Sequence, residues 1–167
     1  MNIVLCGMMG SGKSTVGKEV AAITGKTFMD TDEVIVERHG KIADIFREFG
    51  EGYFRDLESG LVKEISQREG LVLSTGGGLV LRKENVDLLR QKGKIFFLRA
   101  SIETLLGRLK KDGERPLLEG EEELRSRLDR LLQARTSIYE AAADDIVDTD
   151  GKTPKEIATE IARKAKR

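Results

Sequence analysis

The sequence predicts an α/β protein, with a parallel sheet enclosed by helices on both faces. Three observations carry that prediction. Short apolar runs of strand length alternate with longer amphipathic stretches, as in βαβ units. The glycine-rich octapeptide Gly7-Met8-Met9-Gly10-Ser11-Gly12-Lys13-Ser14 stands between the first such run and the first such stretch, where a strand would turn into a helix. Two further polar or glycine-rich segments, Asp30-Thr31-Asp32 and Gly76-Gly77-Gly78, directly follow apolar runs. In an open α/β sheet such segments gather beyond the carboxyl ends of the strands, on one edge.

Taken in order, Asn2-Ile3-Val4-Leu5-Cys6 is a strand, and Val16, Val20 and Ile23 give the next segment helical spacing. Thr27-Phe28-Met29 is a brief second strand. Residues 33–39 and 41–49 are expected as two short helices broken at Gly40, and residues 51–68 as a longer one. Leu71-Val72-Leu73-Ser74 is a buried strand that stops at the three glycines. A helix over about 82–91 precedes the strand Lys94-Ile95-Phe96-Phe97-Leu98. Ser101 can cap the next helix, whose Ile102, Leu105, Leu106 and Leu109 form an apolar stripe. The polar segment Lys110 to Glu122 interrupts the pattern before a long helix to about Ala142 and a last strand at Asp145-Ile146-Val147. Thr153 and Pro154 open the final helix as cap and first-turn proline.

The octapeptide fits the P-loop pattern of a glycine, four residues, then Gly-Lys-Ser. A strand, a glycine-rich loop and a helix N-terminus aim backbone N–H groups and a positive helix end at one point, which suits polyphosphate. Lys13 is expected to reach the β- and γ-phosphates of a nucleoside triphosphate, and the Ser14 hydroxyl to ligate Mg²⁺. If the chain stays extended after the second strand, Asp30 and Asp32 point to one side. One carboxylate could then hold Mg²⁺ through water and the other accept a proton from an acceptor hydroxyl. Alternatively either aspartate is the N-cap of a helix beginning at Glu33; Thr31 or Asp32 is expected to cap as well, and the two roles are compatible. Three glycines in a row exceed what a turn needs and point to backbone N–H groups facing a ligand. Arg55 lies between Glu51 and Glu58 on one helix face; by spacing alone this is a surface ion-pair ladder, with a guanidinium for a substrate carboxylate as the alternative. The segment from Lys110 to Pro116 is a surface loop or a lid carrying Arg115 to the γ-phosphate. Cys6 reads as buried packing and His39 as a helix C-terminal residue.

Length and composition bound the rest. The 167 residues suit one domain. Lys plus Arg and Asp plus Glu are 29 each, so the net charge of zero argues against a nucleic-acid-binding surface. The apolar runs are too short to span a bilayer, and the N-terminus has no basic region of a signal peptide. A single cysteine cannot close an internal disulfide. Together these features lead to the expectation of a cytoplasmic chain that associates with neither membrane nor nucleic acid.

The pieces, in this order, resemble the shikimate kinase family from about Asn2 to the C-terminal helix. The resemblance rests on Phe28-Met29-Asp30-Thr31-Asp32, on Gly50-Glu51 with Phe54-Arg55 and Glu58, and on Ser74-Thr75-Gly76-Gly77-Gly78. Arg115-Pro116-Leu117-Leu118, Arg135 with Tyr139, and Asp148-Thr149-Asp150-Gly151 before Pro154 complete it. It implies a three-layer P-loop kinase fold of the nucleoside-monophosphate-kinase type, with a five-stranded parallel sheet in the order 2-3-1-4-5. The implied organisation is a single domain over 1–167, a substrate-binding helical segment at about 31–60 and a lid at about 110–122. The implied activity is ATP-dependent phosphorylation of the shikimate 3-hydroxyl in aromatic amino-acid biosynthesis, by a monomer with Mg²⁺. Gly10, Ser11, Gly12, Lys13, Ser14 and Thr15 would then hold ATP phosphate, with Arg108 and Pro154 at the adenine and Arg115 at the transferring phosphate. Ser14 and Asp30 would support Mg²⁺. Asp32 would be the base and hold the shikimate hydroxyls. Arg55 and Arg135 would bind the carboxylate, Glu58 would orient Arg55, and Gly77 and Gly78 would line the ring. A gluconate or nucleotide kinase of the same fold is the nearest rival, and a non-enzymatic nucleotide switch the more distant one.

Overall fold

The computed structural model describes residues 1–111 and 120–166. Arg115 and most of the expected lid lie outside the described residues. Strands β1 (Asn2–Cys6), β2 (Thr27–Asp30), β3 (Leu71–Ser74), β4 (Gly93–Arg99) and β5 (Asp145–Asp148) form one sheet. All neighbours are parallel and the order is β2-β3-β1-β4-β5, as expected from the resemblance.

The helices are α1 (Lys13–Thr24), α2 (Thr31–His39), α3 (Ile42–Phe49), α4 (Glu51–Ile65), α5 (Lys83–Lys92), α6 (Ile102–Lys111), α7 (Glu121–Ala142) and α8 (Pro154–Ala165). Strand residues alternate between two apolar layers because successive Cβ atoms point to opposite faces. Ile3, Leu5, Val72, Phe96 and Leu98 pack with α1 and α8 through Val16, Val20, Ile157 and Ile161. Val4, Cys6, Leu71, Leu73, Ile95 and Phe97 pack on the other face with residues of α2 to α7. A parallel sheet covered on both sides needs near-continuous apolar strands, and the central strands β1, β3 and β4 are, while the edge strands β2 and β5 carry polar ends and are only partly buried.

Several local expectations hold. Ser101 Oγ accepts from the Thr104 N–H at 3.3 Å, and the Thr153 hydroxyl accepts from the Glu156 N–H at 3.1 Å. Others differ. The helix expected over 51–68 ends at Ile65, and a 3-10 turn, Leu79–Leu81, follows the glycine run. Helix α6 includes Lys110 and Lys111, and α7 includes Glu121 and Glu122, so both ends of the polar segment 110–122 are helical.

Candidate active site

Beyond the carboxyl edge of β2, β3 and β1 opens a cavity of about 730 Å³. The sheet order makes these three strands neighbours, with Leu5, Ser74 and Asp30 in register at their ends. Gly10, Ser11, Gly12, Lys13, Ser14, Thr15, Asp30, Asp32, Gly77, Arg108 and Pro154, all expected from sequence, line this cavity.

The loop after β1 can close so tightly because of its glycines. Gly12 is the N-cap of α1 with φ 92°, in the left-handed region that side chains disfavour. At Gly7 a Cβ would fall 2.8 Å from the Leu98 carbonyl oxygen. Lys13 Nζ folds back over the loop, donating to the carbonyls of Gly7 (2.6 Å) and Met8 (3.1 Å). Loss of water pushes its pKa down to about 8, against the opposing pull of Cys6, Asp32 and Asp30. Burial likewise pushes the Cys6 thiol up to about 12. Arg108 from α6 reaches across and donates to the Ser11 carbonyl at 2.6 Å.

The two aspartates do not follow an extended chain. Helix α2 begins already at Thr31, so Asp30 is the last extended residue and the N-cap. The expectation that Thr31 or Asp32 would cap is therefore corrected. Only Asp30 keeps the β conformation that lets a side chain turn back onto the first N–H groups. Its Oδ1 accepts from the backbone N–H groups of Asp32 (2.9 Å) and Glu33 (3.2 Å). Its Oδ2 accepts from the Ser14 hydroxyl at 2.5 Å, and Ser74 Oγ lies 3.2 Å from that hydroxyl. Asp32, in the first turn of α2, still faces the cavity. Its pKa is raised, first by loss of water and then by the neighbouring Asp30, while Lys13 and Arg55 act in the other direction.

Three glycines meet three sets of acidic and basic side chains. A Cβ at Gly76 would stand 2.6 Å from Asp32 Oδ1 and 3.0 Å from Glu58 Oε2. At Gly77 it would lie 3.4 Å from Arg135 Nη1, and at Gly78 it would overlap the Arg55 guanidinium. The run thus draws together Asp32 from α2, Arg55 and Glu58 from α4, and Arg135 from α7. Its Gly76 N–H is already committed, to Thr31 Oγ1 at 3.0 Å.

The ladder on α4 is not the surface feature that spacing alone suggests. Arg55 Nη1 donates to Glu58 Oε1 at 2.7 Å, with the two side chains only 13% and 0% exposed. Glu51, 61% exposed, is the outer rung at 3.4 Å. Burial raises the Glu58 pKa, against the bond and charge of Arg55. Loss of water pulls Arg55 down, but its bond to Glu58 and the charges of Glu58 and Glu51 leave its pKa raised. Glu58 Oε2 is buried without a hydrogen-bond partner among the described residues.

Sequence reasoning missed Ser74 and Lys152, which also line the cavity. Ser74 ends β3 beside Asp30, which only strand pairing reveals. Lys152 had a usable signal, two residues before Pro154.

The model of the family described as shikimate kinase matches residues 9–166. This chain belongs to the shikimate kinase family. It is accordingly a kinase, and its reaction is the ATP-dependent phosphorylation of shikimate in aromatic biosynthesis. Its relatives include the shikimate kinase of Thermodesulfovibrio yellowstonii, 47% identical over 99% of this chain and 95% of that one. That of Persephonella marina is 45% identical over 96% of each. Among solved structures, shikimate kinase from Acinetobacter baumannii in complex with shikimate superimposes with TM-score 0.88. It is 36% identical, over 97% of this chain and 90% of that one.

Proposed function

We propose that the cavity holds ATP over the P-loop and shikimate against the glycine run, and that the 3-hydroxyl receives the phosphoryl group. The observation that carries this reading is the convergence of Arg55 and Arg135 on the glycine run whose other neighbour is Asp32. Shikimate has one carboxylate and three hydroxyls. Two guanidiniums, one carboxylate and bare backbone can pair them all.

In this reading the Asp32 carboxylate takes the proton from the attacking hydroxyl, and its raised pKa makes it a better acceptor. The new O–P bond forms as the bond to the β-phosphate oxygen breaks. Lys13 spends two N–H bonds on loop carbonyls and keeps the third for the transferring phosphoryl group. Arg108 fixes the loop and borders the adenine end with Pro154, while Arg115 would meet the same phosphate from the segment between α6 and α7. Ser14 and Asp30 form an oxygen pair that suits Mg²⁺, and Asp30 keeps Oδ2 turned toward Ser14 while Oδ1 caps α2. Bound with ATP, Mg²⁺ would neutralise charge on the β- and γ-phosphates. Among the described residues no cluster of three acidic, His or Cys side chains could hold a metal alone, and phosphate oxygens of bound ATP would supply further ligands.

Residues 31–60 act as the acceptor-binding segment of a single domain. No helix among the described residues is long and apolar enough to cross a membrane. In this reading the enzyme works as a monomer in the cytoplasm, where the buried Cys6 stays a free thiol.

Calorimetric binding of shikimate and its methyl ester to the parent, Arg55→Lys and Arg135→Lys proteins tests the reading. The parent should prefer the acid, and each variant should bind it about ten- to a hundredfold more weakly with ATP affinity kept. Equal binding of acid and ester by the parent overturns the assignment of both arginines.

A further inference from the structure

The glycine run is held from two sides by groups that no step of the reaction uses. On one side Thr31, fully buried, accepts the Gly76 N–H on Oγ1 at 3.0 Å. On the other the Tyr139 hydroxyl donates to the Gly77 carbonyl at 2.6 Å. Tyr139 is fully buried, its ring 5.1 Å from that of Phe97 and its hydroxyl 3.9 Å from the Met8 sulfur. Both clamps share a helix with a side chain that meets the run. Thr31 immediately precedes Asp32 in the first turn of α2, and Tyr139 follows Arg135 by one turn of α7.

We propose that Thr31 and Tyr139 are positioning residues for the acceptor. They pin the strap Gly76-Gly77-Gly78 between α2 and α7, and so set the spacing of Asp32, Arg55 and Arg135. The geometry behind this is the lack of slack around each glycine. Gly76 is packed against Asp32 and Glu58, and Gly78 against the Arg55 guanidinium, so a strap that moves carries the charged groups with it or collides with them. Tyr139 meets the P-loop only through the Met8 side chain, so nucleotide affinity should change less than acceptor affinity. The proposal rests on the reading of those charged residues as the shikimate site.

The test is steady-state kinetics in both substrates, with thermal melts, for Thr31→Val, Thr31→Ser and Tyr139→Phe. Thr31→Val keeps the shape but leaves the buried Gly76 N–H without an acceptor; Tyr139→Phe removes one oxygen and leaves the Gly77 carbonyl without its donor. Both should raise the KM for shikimate about tenfold, with the KM for ATP within about twofold. Thr31→Ser retains the acceptor oxygen and should restore the parent KM to within about twofold. A shift in melting temperature with an unchanged shikimate KM would make the clamps ordinary core contacts and overturn the proposal. So would an equal rise in both KM values. If Thr31→Val does not fold, Tyr139→Phe decides by the same ratio. Arg55→Lys and Arg135→Lys are measured alongside: unchanged shikimate affinity there counts against the acceptor-site reading, while the clamps stand or fall on their own KM ratio.

Discussion

Along the cavity runs a stretch of consecutive residues, Met8 to Ser14, whose backbone would face the nucleotide; beside it, past Asp32 and Gly77, side chains from α2, α4 and α7 meet over three glycines. The glycines differ accordingly. Gly12 is required for its own backbone, which lies at φ 92°. Gly78 has an ordinary backbone, φ −109°, and is required for the space it leaves to Arg55. A backbone-made site is stiff and general, suited to polyphosphate. A site made of charged side chains is selective, and depends on what holds each one still.

Breaking the nucleotide end should have the largest effect. Lys13→Met should keep the fold, by circular dichroism, and lower kcat roughly a thousandfold in an ADP-release assay, because the cation that meets the transferring charge is gone. Turnover near that of the parent would remove the P-loop lysine from the mechanism.

Asp32→Asn comes next and separates the two ends. Turnover should drop about a hundredfold, with ATP affinity by calorimetry nearly unchanged. Loss of ATP affinity with retained turnover would instead exchange the roles of Asp30 and Asp32.

Gly78→Ala sharpens the contrast between the two kinds of glycine. The added methyl would displace the Arg55 guanidinium from its bond to buried Glu58, so shikimate affinity should fall roughly tenfold and the melting temperature should drop by several degrees with the fold retained. Unfolding of this variant would show that the run is structural.

A smaller effect is protonic. Burial holds Lys13 at a pKa of about 8, below its ordinary value, and phosphate favours the charged ammonium. Above that pH the free protein has lost part of a proton that the ATP complex retains, so binding at about pH 9 should take up a fraction of a proton. Near pH 6.5 both states hold it and this uptake should vanish. Calorimetry in buffers of different ionisation enthalpy measures it, and Lys13→Met should abolish it. The same uptake in that variant would assign it to another group.

The smallest change concerns a glycine outside either end. Gly60 lies inside α4, and a Cβ there meets no atom within 4 Å. Gly60→Ala should therefore raise stability by about 0.5–1 kcal/mol in urea unfolding, without changing either KM. A loss of stability would mean that the open space beside α4 is used.

The nucleotide end was legible because its information is local. Loop, lysine, serine and helix start lie within eight residues, and a strand before them supplies the only context needed. The boundaries of the central strands were legible for a related reason: two-sided burial makes each of them a nearly continuous apolar run between polar breaks. The sequence also determined, through the resemblance carried by its ordered motifs, the family, the reaction and the sheet order. What it left open were matters of direction and depth. Spacing placed Glu51, Arg55 and Glu58 on one helix face but could not say which rung faces inward, since that depends on α4 packing against the glycine run. Nor could it say that Asp30 spends one oxygen on α2 and turns the other toward Ser14, because the helix starts two residues earlier than the extended pattern implied. Thr31 and Tyr139 lie 45 and 62 residues from the glycines they hold, and a hydroxyl carries no mark of its partner until the sheet brings them together. Helical and strand periods are written within each segment; the distances between segments are decided only when the two apolar layers close on the sheet.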